Sequence, residues 1–78
     1  MIEELSTVVL TADLAKHSLR AGDLGTVVLV HDGGKGYTVE FATLDGETLA
    51  VLTLTAEQVR PTRAGDMAHV REIAAPAS

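Results

Sequence analysis

Cysteine is absent from this chain, so neither a disulfide nor a thiolate metal site can staple it. Tryptophan is absent too, and Tyr37 and Phe41 are the only aromatic residues. Stacking platforms for bases and grooves for proline-rich peptides are both built from aromatic rings, and two rings are too few for either. Basic residues are scarce and scattered: Lys16, Arg20, Lys35, Arg60, Arg63 and Arg71 stand against eleven acidic residues, for a net charge of −5. Nucleic-acid affinity comes chiefly from Lys and Arg on phosphates, so this balance counts against it. No apolar run reaches the length of a membrane span. The acidic start, Met1-Ile2-Glu3-Glu4, has neither the basic region nor the long apolar core of a secretion signal. The expectation is a cytoplasmic protein without a membrane partner. A chain of 78 residues makes one domain and buries only about 60% of its unfolded surface, which leaves stability marginal.

What is present is β-pattern. Leu5-Ser6-Thr7-Val8-Val9-Leu10 reads as a first strand, rich in Val and Thr. The loop Thr11–Ser18 has room for one helical turn, with Leu14 and Leu19 tucked beneath it. Gly22 and Gly25 bracket Asp23, as expected where the backbone needs positive φ or close approach and a side chain caps a turn. Leu24–Val30 then forms a second strand, β-branched at most positions. Asp32-Gly33-Gly34-Lys35-Gly36 is a hairpin loop; without a helix after it, it is no phosphate cradle. Tyr37-Thr38-Val39-Glu40-Phe41 alternates strictly, with Tyr37, Val39 and Phe41 on one face. Asp45-Gly46 predicts a type I′ hairpin that places Glu40 across from Glu47. Thr48–Leu54 is the fourth strand, Thr55–Gln58 a 3₁₀ turn, and Val59-Arg60-Pro61 a short last strand that Pro61 ends.

The run Gly22-Asp23-Leu24-Gly25-Thr26-Val27 after an apolar loop resembles the opening of small SH3-like barrels, including the KOW-type domains of transcription and ribosomal proteins. Together with Leu5–Leu10, Leu19–Val30, Tyr37–Phe41, Thr43–Glu47 and Leu52–Pro61, it resembles a family of small bacterial proteins known as a domain of unknown function. The resemblance covers about residues 1–61 and implies an SH3-like barrel. It brings no catalytic residues with it.

Chemistry is thinly represented. His17, His31 and His69 form no His-x-x-x-His or His-Glu-x-x-His arrangement, and no thiol completes a zinc set. His31 reads as a solvated rim residue. The carboxylates are dispersed, and Ser6, Ser18 and Ser78 lack the surroundings of a nucleophile. A barrel this small fills its interior with side chains, which leaves little room for a catalytic pocket. The expectation is no enzyme, no metal and no cofactor.

The second and fourth strands are apolar on both faces. Val27, Leu29, Leu49 and Val51 cannot all lie inside together with Val28, Val30, Ala50 and Leu52, and a one-residue shift exchanges the two sets. The outward set makes an apolar patch that either a partner or the chain's own tail covers. The expected partner-binding residues are Val27, Leu29, Leu49 and Val51, with Glu40 and Glu47 on an acidic rim. The overall expectation is an all-β domain, a five-stranded SH3-like barrel over residues 1–61. A tail over 62–78 follows, with a short helix at 66–73 that Asp66 caps and with Ala74–Ser78 disordered. The leading functional expectation is a non-enzymatic protein-interaction module of immunity or antitoxin type, which binds a protein partner or a second copy of itself. A KOW-like nucleic-acid or ribosome-associated module and an accessory subunit of a larger enzyme are the alternatives.

Overall fold

The computed structural model describes residues 2–73. Five strands, β1 (Thr7–Leu10), β2 (Leu24–His31), β3 (Gly36–Ala42), β4 (Thr48–Thr55) and β5 (Val59–Pro61), form one antiparallel sheet in the order β4-β3-β2-β1-β5. The domain is all-β, as expected; its helical content is two 3₁₀ turns, Ala15–His17 and Ala56–Gln58. No helix among the described residues is long and apolar enough to cross a membrane.

A single sheet has no second layer to bury its apolar face, so it must curl. Chain connectivity requires the same thing. β4 and β5 are the two edge strands, yet only the turn Ala56–Gln58 separates them in sequence. Gln58 Oε1 accepts the Thr55 N–H (2.8 Å) to close that turn, and the Thr11 N–H donates to Gln58 O (2.8 Å), which fastens it to the end of β1. The core inside the curl draws on every strand: Val8 and Leu10, Val27, Tyr37, Val39 and Phe41, Leu54, and Val59, with Leu19 from the β1–β2 loop. No ladder joins β4 to β5 among the described residues, so the sheet is curled rather than closed.

The two glycines around Asp23 serve different purposes. Gly22 has φ +99°, the left-handed region open to glycine. Gly25 is needed for close approach: a Cβ there would lie 2.5 Å from Val39 Cγ1 and 2.9 Å from Phe41 Cε1. The curl therefore depends on β2 having no side chain where β3 folds over it.

Several local expectations are corrected. β1 begins at Thr7, because Leu5 takes a left-handed φ of 69° and donates its N–H to Val27 O (2.7 Å). The β3–β4 hairpin is not type I′. Gly46 (φ +92°) is its only residue at positive φ, and the Gly46 N–H closes a turn on Thr43 O (3.0 Å). That is a three-residue loop of Leu44, Asp45 and Gly46 with a glycine bulge. The paired positive φ values of a type I′ turn occur instead at Asp32 (49°) and Gly33 (67°), where the Gly34 N–H donates to His31 O (3.0 Å). Residues 66–73 form no helix. Asp66 is not an N-cap: its N–H closes a turn on Arg63 O (3.0 Å) with Gly65 at φ +93°. Ala74–Ser78, expected to be disordered, lie outside the described residues.

Gly25→Ala is expected to lower the unfolding free energy by about 1–3 kcal/mol through overpacking against Val39 and Phe41. Urea denaturation measures it; a change within about 0.5 kcal/mol, the ordinary range for a surface substitution, would mean that β2 and β3 are not this close.

Candidate functional site

The outer face of the sheet divides into two regions. On β1, Val8 and Leu10 point into the core, so Val9 points outward; cross-strand it lies between Arg60 of β5 and Leu24 of β2. Val9 is nevertheless only 7% exposed. Residues 62–73 are fastened at both ends of this row. The Arg60 guanidinium donates twice to Asp66 (Nη1 to Oδ2 and Nη2 to Oδ1, both 2.9 Å), and the Arg63 N–H adds a third bond to Oδ2 (2.8 Å). Further along, Arg71 donates Nε to Asp23 Oδ1 (2.9 Å), and Nη2 both to Asp23 Oδ2 (2.5 Å) and to Ser18 O (3.0 Å). One anchor sits on β5 and the other just before β2, at the two ends of the row Arg60–Val9–Leu24.

Both anchors are visible in the acidity of their carboxyls. The Arg60 hydrogen bonds, helped by the Arg63 N–H, pull Asp66 down from 3.8 to about 2. Burial acts to raise Asp23, but the bonds from Arg71 and from the Arg20 N–H outweigh it and leave the carboxyl below its ordinary value. Asp23 caps a turn as expected, but the turn lies before it and not after it. It bonds three residues back, to the Arg20 N–H (2.8 Å), and also holds Arg71 from the far end of the chain.

The second region, the outer face of β2, β3 and β4, has no such cover among the described residues. Its cross-strand rows are Thr26–Glu40–Val51 and Leu29–Thr38–Thr53. A bulge at Val28 decides which residues reach it. Val27 pairs with Val39 and Leu29 with Thr38, so Val28 is the extra residue and the facing reverses there. Val27 points inward and Leu29 outward, while Val30 packs on the core. On β4, Leu54 is buried and Ala50 and Leu52 pack against the core, while Val51 points out. Leu29 and Val51 are 52% and 54% exposed. Polar groups frame them. His31 Nε2 and Thr38 Oγ1 are 2.6 Å apart, Thr38 Oγ1 and Thr53 Oγ1 3.1 Å, and Thr48 Oγ1 donates to Glu40 Oε2 (2.6 Å).

Of the six residues expected at a partner surface, the structure places Leu29, Val51 and Glu40 on one face, Val51 opposite Glu40 and Leu29 in another row, across β3. Val27 is fully buried and is removed from the set: a bulge breaks the alternation that grouped it with Leu29. Leu49 is half-buried, the extra residue where β4 passes Phe41 and Ala42. Glu47 is exposed at the β3–β4 hairpin and does not face Glu40, which lies opposite Val51. Sequence reasoning missed Leu44, 94% exposed at the tip of that hairpin; its place between Thr43 and Asp45-Gly46 in a three-residue loop is the signal that could have found it. An open groove lined by Ile2, Tyr37, Val59 and Arg60 runs along β5. No group of three His, Cys, Asp or Glu residues among those described could hold a metal ion.

These features define a small β-domain whose one curled sheet is strapped by its own tail on one half of the outer face and bare on the other. The chain belongs to the DUF4926 family, a domain of unknown function, whose match spans residues 4–61. The match thus takes in all five strands and stops where the tail begins. No curated protein and no solved structure shows a significant match to the chain.

Removal of the Arg60 side chain (Arg60→Gln) is expected to return the Asp66 carboxyl from about 2 toward 3.8. A carboxyl whose folded value is depressed stabilises the attached tail above its ordinary range and loses that effect as pH falls through the folded value. Loss of the Arg60–Asp66 anchor in the unaltered protein therefore falls between about pH 4 and 2. Carboxyl NMR titration checks both points; an Asp66 midpoint near 3.8 in the unaltered protein would contradict the anchor.

Proposed function

We propose that this chain is a non-enzymatic, cytoplasmic protein-interaction module built on an SH3-like barrel, which binds and blocks a partner protein in the manner of an immunity or antitoxin protein. The observation that carries this reading is the uncovered pair Leu29 and Val51, about half exposed on the outer face of β2–β4 beside Glu40. The tail does not reach this pair, because its anchors hold it at β5 and at Asp23 before β2. Apolar residues framed by polar ones and left bare on a small domain are the usual composition of a binding surface. The net charge of −5 suits a basic partner site, where complementary charge speeds encounter. The barrel reading is supported by the position of β1 between β2 and β5 and by the 3₁₀ turn before β5.

The nucleic-acid alternative has less support. Its basic stripe would require Arg60, Arg63 and Arg71, and two of the three guanidinium groups, those of Arg60 and Arg71, are already engaged by Asp66 and Asp23.

The test takes the purified product of the neighbouring gene as partner. Titration calorimetry and an activity assay are expected to show binding with loss of the partner's activity. Leu29→Glu, at a solvent-facing position, is expected to weaken binding at least about tenfold, the effect of losing one apolar anchor. Full partner activity in the presence of excess protein would reject the reading.

A further inference from the structure

The two edges of the sheet are treated differently. β5 is three residues long, carries Arg60, ends in Pro61 and leads straight into the anchored tail. Short length, charge and proline are the devices by which proteins keep an edge from pairing. β4 has none of them. It runs eight residues, Thr48-Leu49-Ala50-Val51-Leu52-Thr53-Leu54-Thr55, with no charged residue and no proline. Apart from the bulge at Leu49, it is a regular strand of high β-propensity along its whole length.

The register shows which backbone groups this edge offers. The Ala56 N–H donates to Lys35 O (3.2 Å), and this pair continues the β3–β4 ladder in which Gly36 faces Thr55 and Tyr37 faces Leu54. Bonded pairs in an antiparallel ladder recur at every second residue. Tyr37–Leu54, Val39–Leu52 and Phe41–Ala50 are therefore the bonded pairs. The N–H and C=O groups of Val51 and Thr53 point away from β3, off the open side of the sheet. The next outward N–H, that of Thr55, is taken by Gln58 Oε1. No backbone group among the described residues bonds those of Val51 and Thr53.

We propose that the β4 edge, through the outward backbone groups of Val51 and Thr53, pairs antiparallel with β4 of a second copy of this chain. The absence of charge along β4 admits that occupant. Two copies of a molecule with net charge −5 repel over most of their surfaces, but β4 meeting its own image brings no charged side chain against another along the strand. Two-fold pairing is self-complementary, since each copy supplies the donors that the other's acceptors require. It also continues the antiparallel pattern of the sheet. Only the ends are unfavourable, because the antiparallel arrangement brings the Glu47 end of one strand toward the Glu57 end of the other. Salt screens that repulsion, so added salt strengthens this dimer; a basic partner attracted by the acidic surface is weakened by it. The inference does not rest on the partner-binding reading, which concerns the side chains of the outer face.

Sedimentation equilibrium on the full chain over a concentration series, at about 0.05 M and about 0.5 M salt, tests it, the Debye length falling several-fold between them. The expected result is a reversible dimer whose association strengthens with salt. Thr53→Pro removes an outward N–H while sparing the β3 ladder and is expected to weaken dimerisation at least about tenfold. Val51→Lys, which keeps every backbone donor and places a charge on the edge, is expected to do the same and guards against a misfolded proline variant. Leu29→Glu, on β2, is expected to leave the dimer intact. A monomer at both salt concentrations would overturn the proposal, as would a dimer indifferent to both edge variants or one lost in Leu29→Glu. A monomer that loses its heterologous partner on Thr53→Pro would assign the edge to a partner's strand and overturn self-pairing.

Discussion

A single five-stranded sheet can bury its apolar face only against itself, and most of this structure follows from that constraint. The three-residue link between β4 and β5 brings opposite edges of the sheet together, so side chains from all five strands meet in one core. Tight curling requires places where the strands can bend. Gly25 lets β3 close over β2, and the bulges at Val28 and Leu49 turn the strands where regular pleating would flatten them. The core that results holds no polar or charged residue among those described, and none of their buried side-chain polar atoms lacks a hydrogen-bond partner. Stability rests on packing, in a chain without cysteine to reinforce it.

Curling also settles the outer surface. Two strands with apolar residues on both faces leave hydrophobic side chains outside whichever way they turn. On one half the chain fastens its tail beside Val9, through Arg60–Asp66 on β5 and Arg71–Asp23 before β2. These are ion pairs at the surface, their side chains a fifth to a third exposed, in a class that contributes little to stability. Their consequence lies in where they place the tail. Because they hold it on β5 and β2, Leu29 and Val51 stay bare and the β4 edge stays open. Two of the three arginines that a nucleic-acid surface would have needed, Arg60 and Arg71, are spent as fasteners.

Much of the fold was legible because its signals are local. Strict alternation in Tyr37–Phe41 marked the faces of β3, glycine clusters marked the hairpins, and Val59-Arg60-Pro61 was placed to the residue. The candidate site was legible in part. Leu29 and Val51 of the expected set do lie exposed on the outer face, while Val27 was grouped with them because alternation was assumed to run unbroken through β2. A bulge leaves no mark in a run such as Thr-Val-Val-Leu-Val, since every residue in it suits either face. The expected helix at 66–73 failed for a related reason. The spacing of Met67, Val70 and Ile73 is compatible with a helix, but a segment so short takes its conformation from whatever holds it. What holds this one are two arginine–aspartate contacts made across the chain.

Alone, then, the sequence determined the class of fold, the number and approximate bounds of the strands, the acidic balance and the absence of staples. Each of these depends on composition or on neighbours within a few positions. Tertiary structure alone decided which apolar face of β2 and β4 lies inside, where the tail is fastened and which sheet edge is left unpaired. Those outcomes turn on residues 40 or more positions apart, such as Asp23 with Arg71, and on a one-residue slip in register. At that range, side-chain periodicity carries no information about which of two equally apolar surfaces will meet the core.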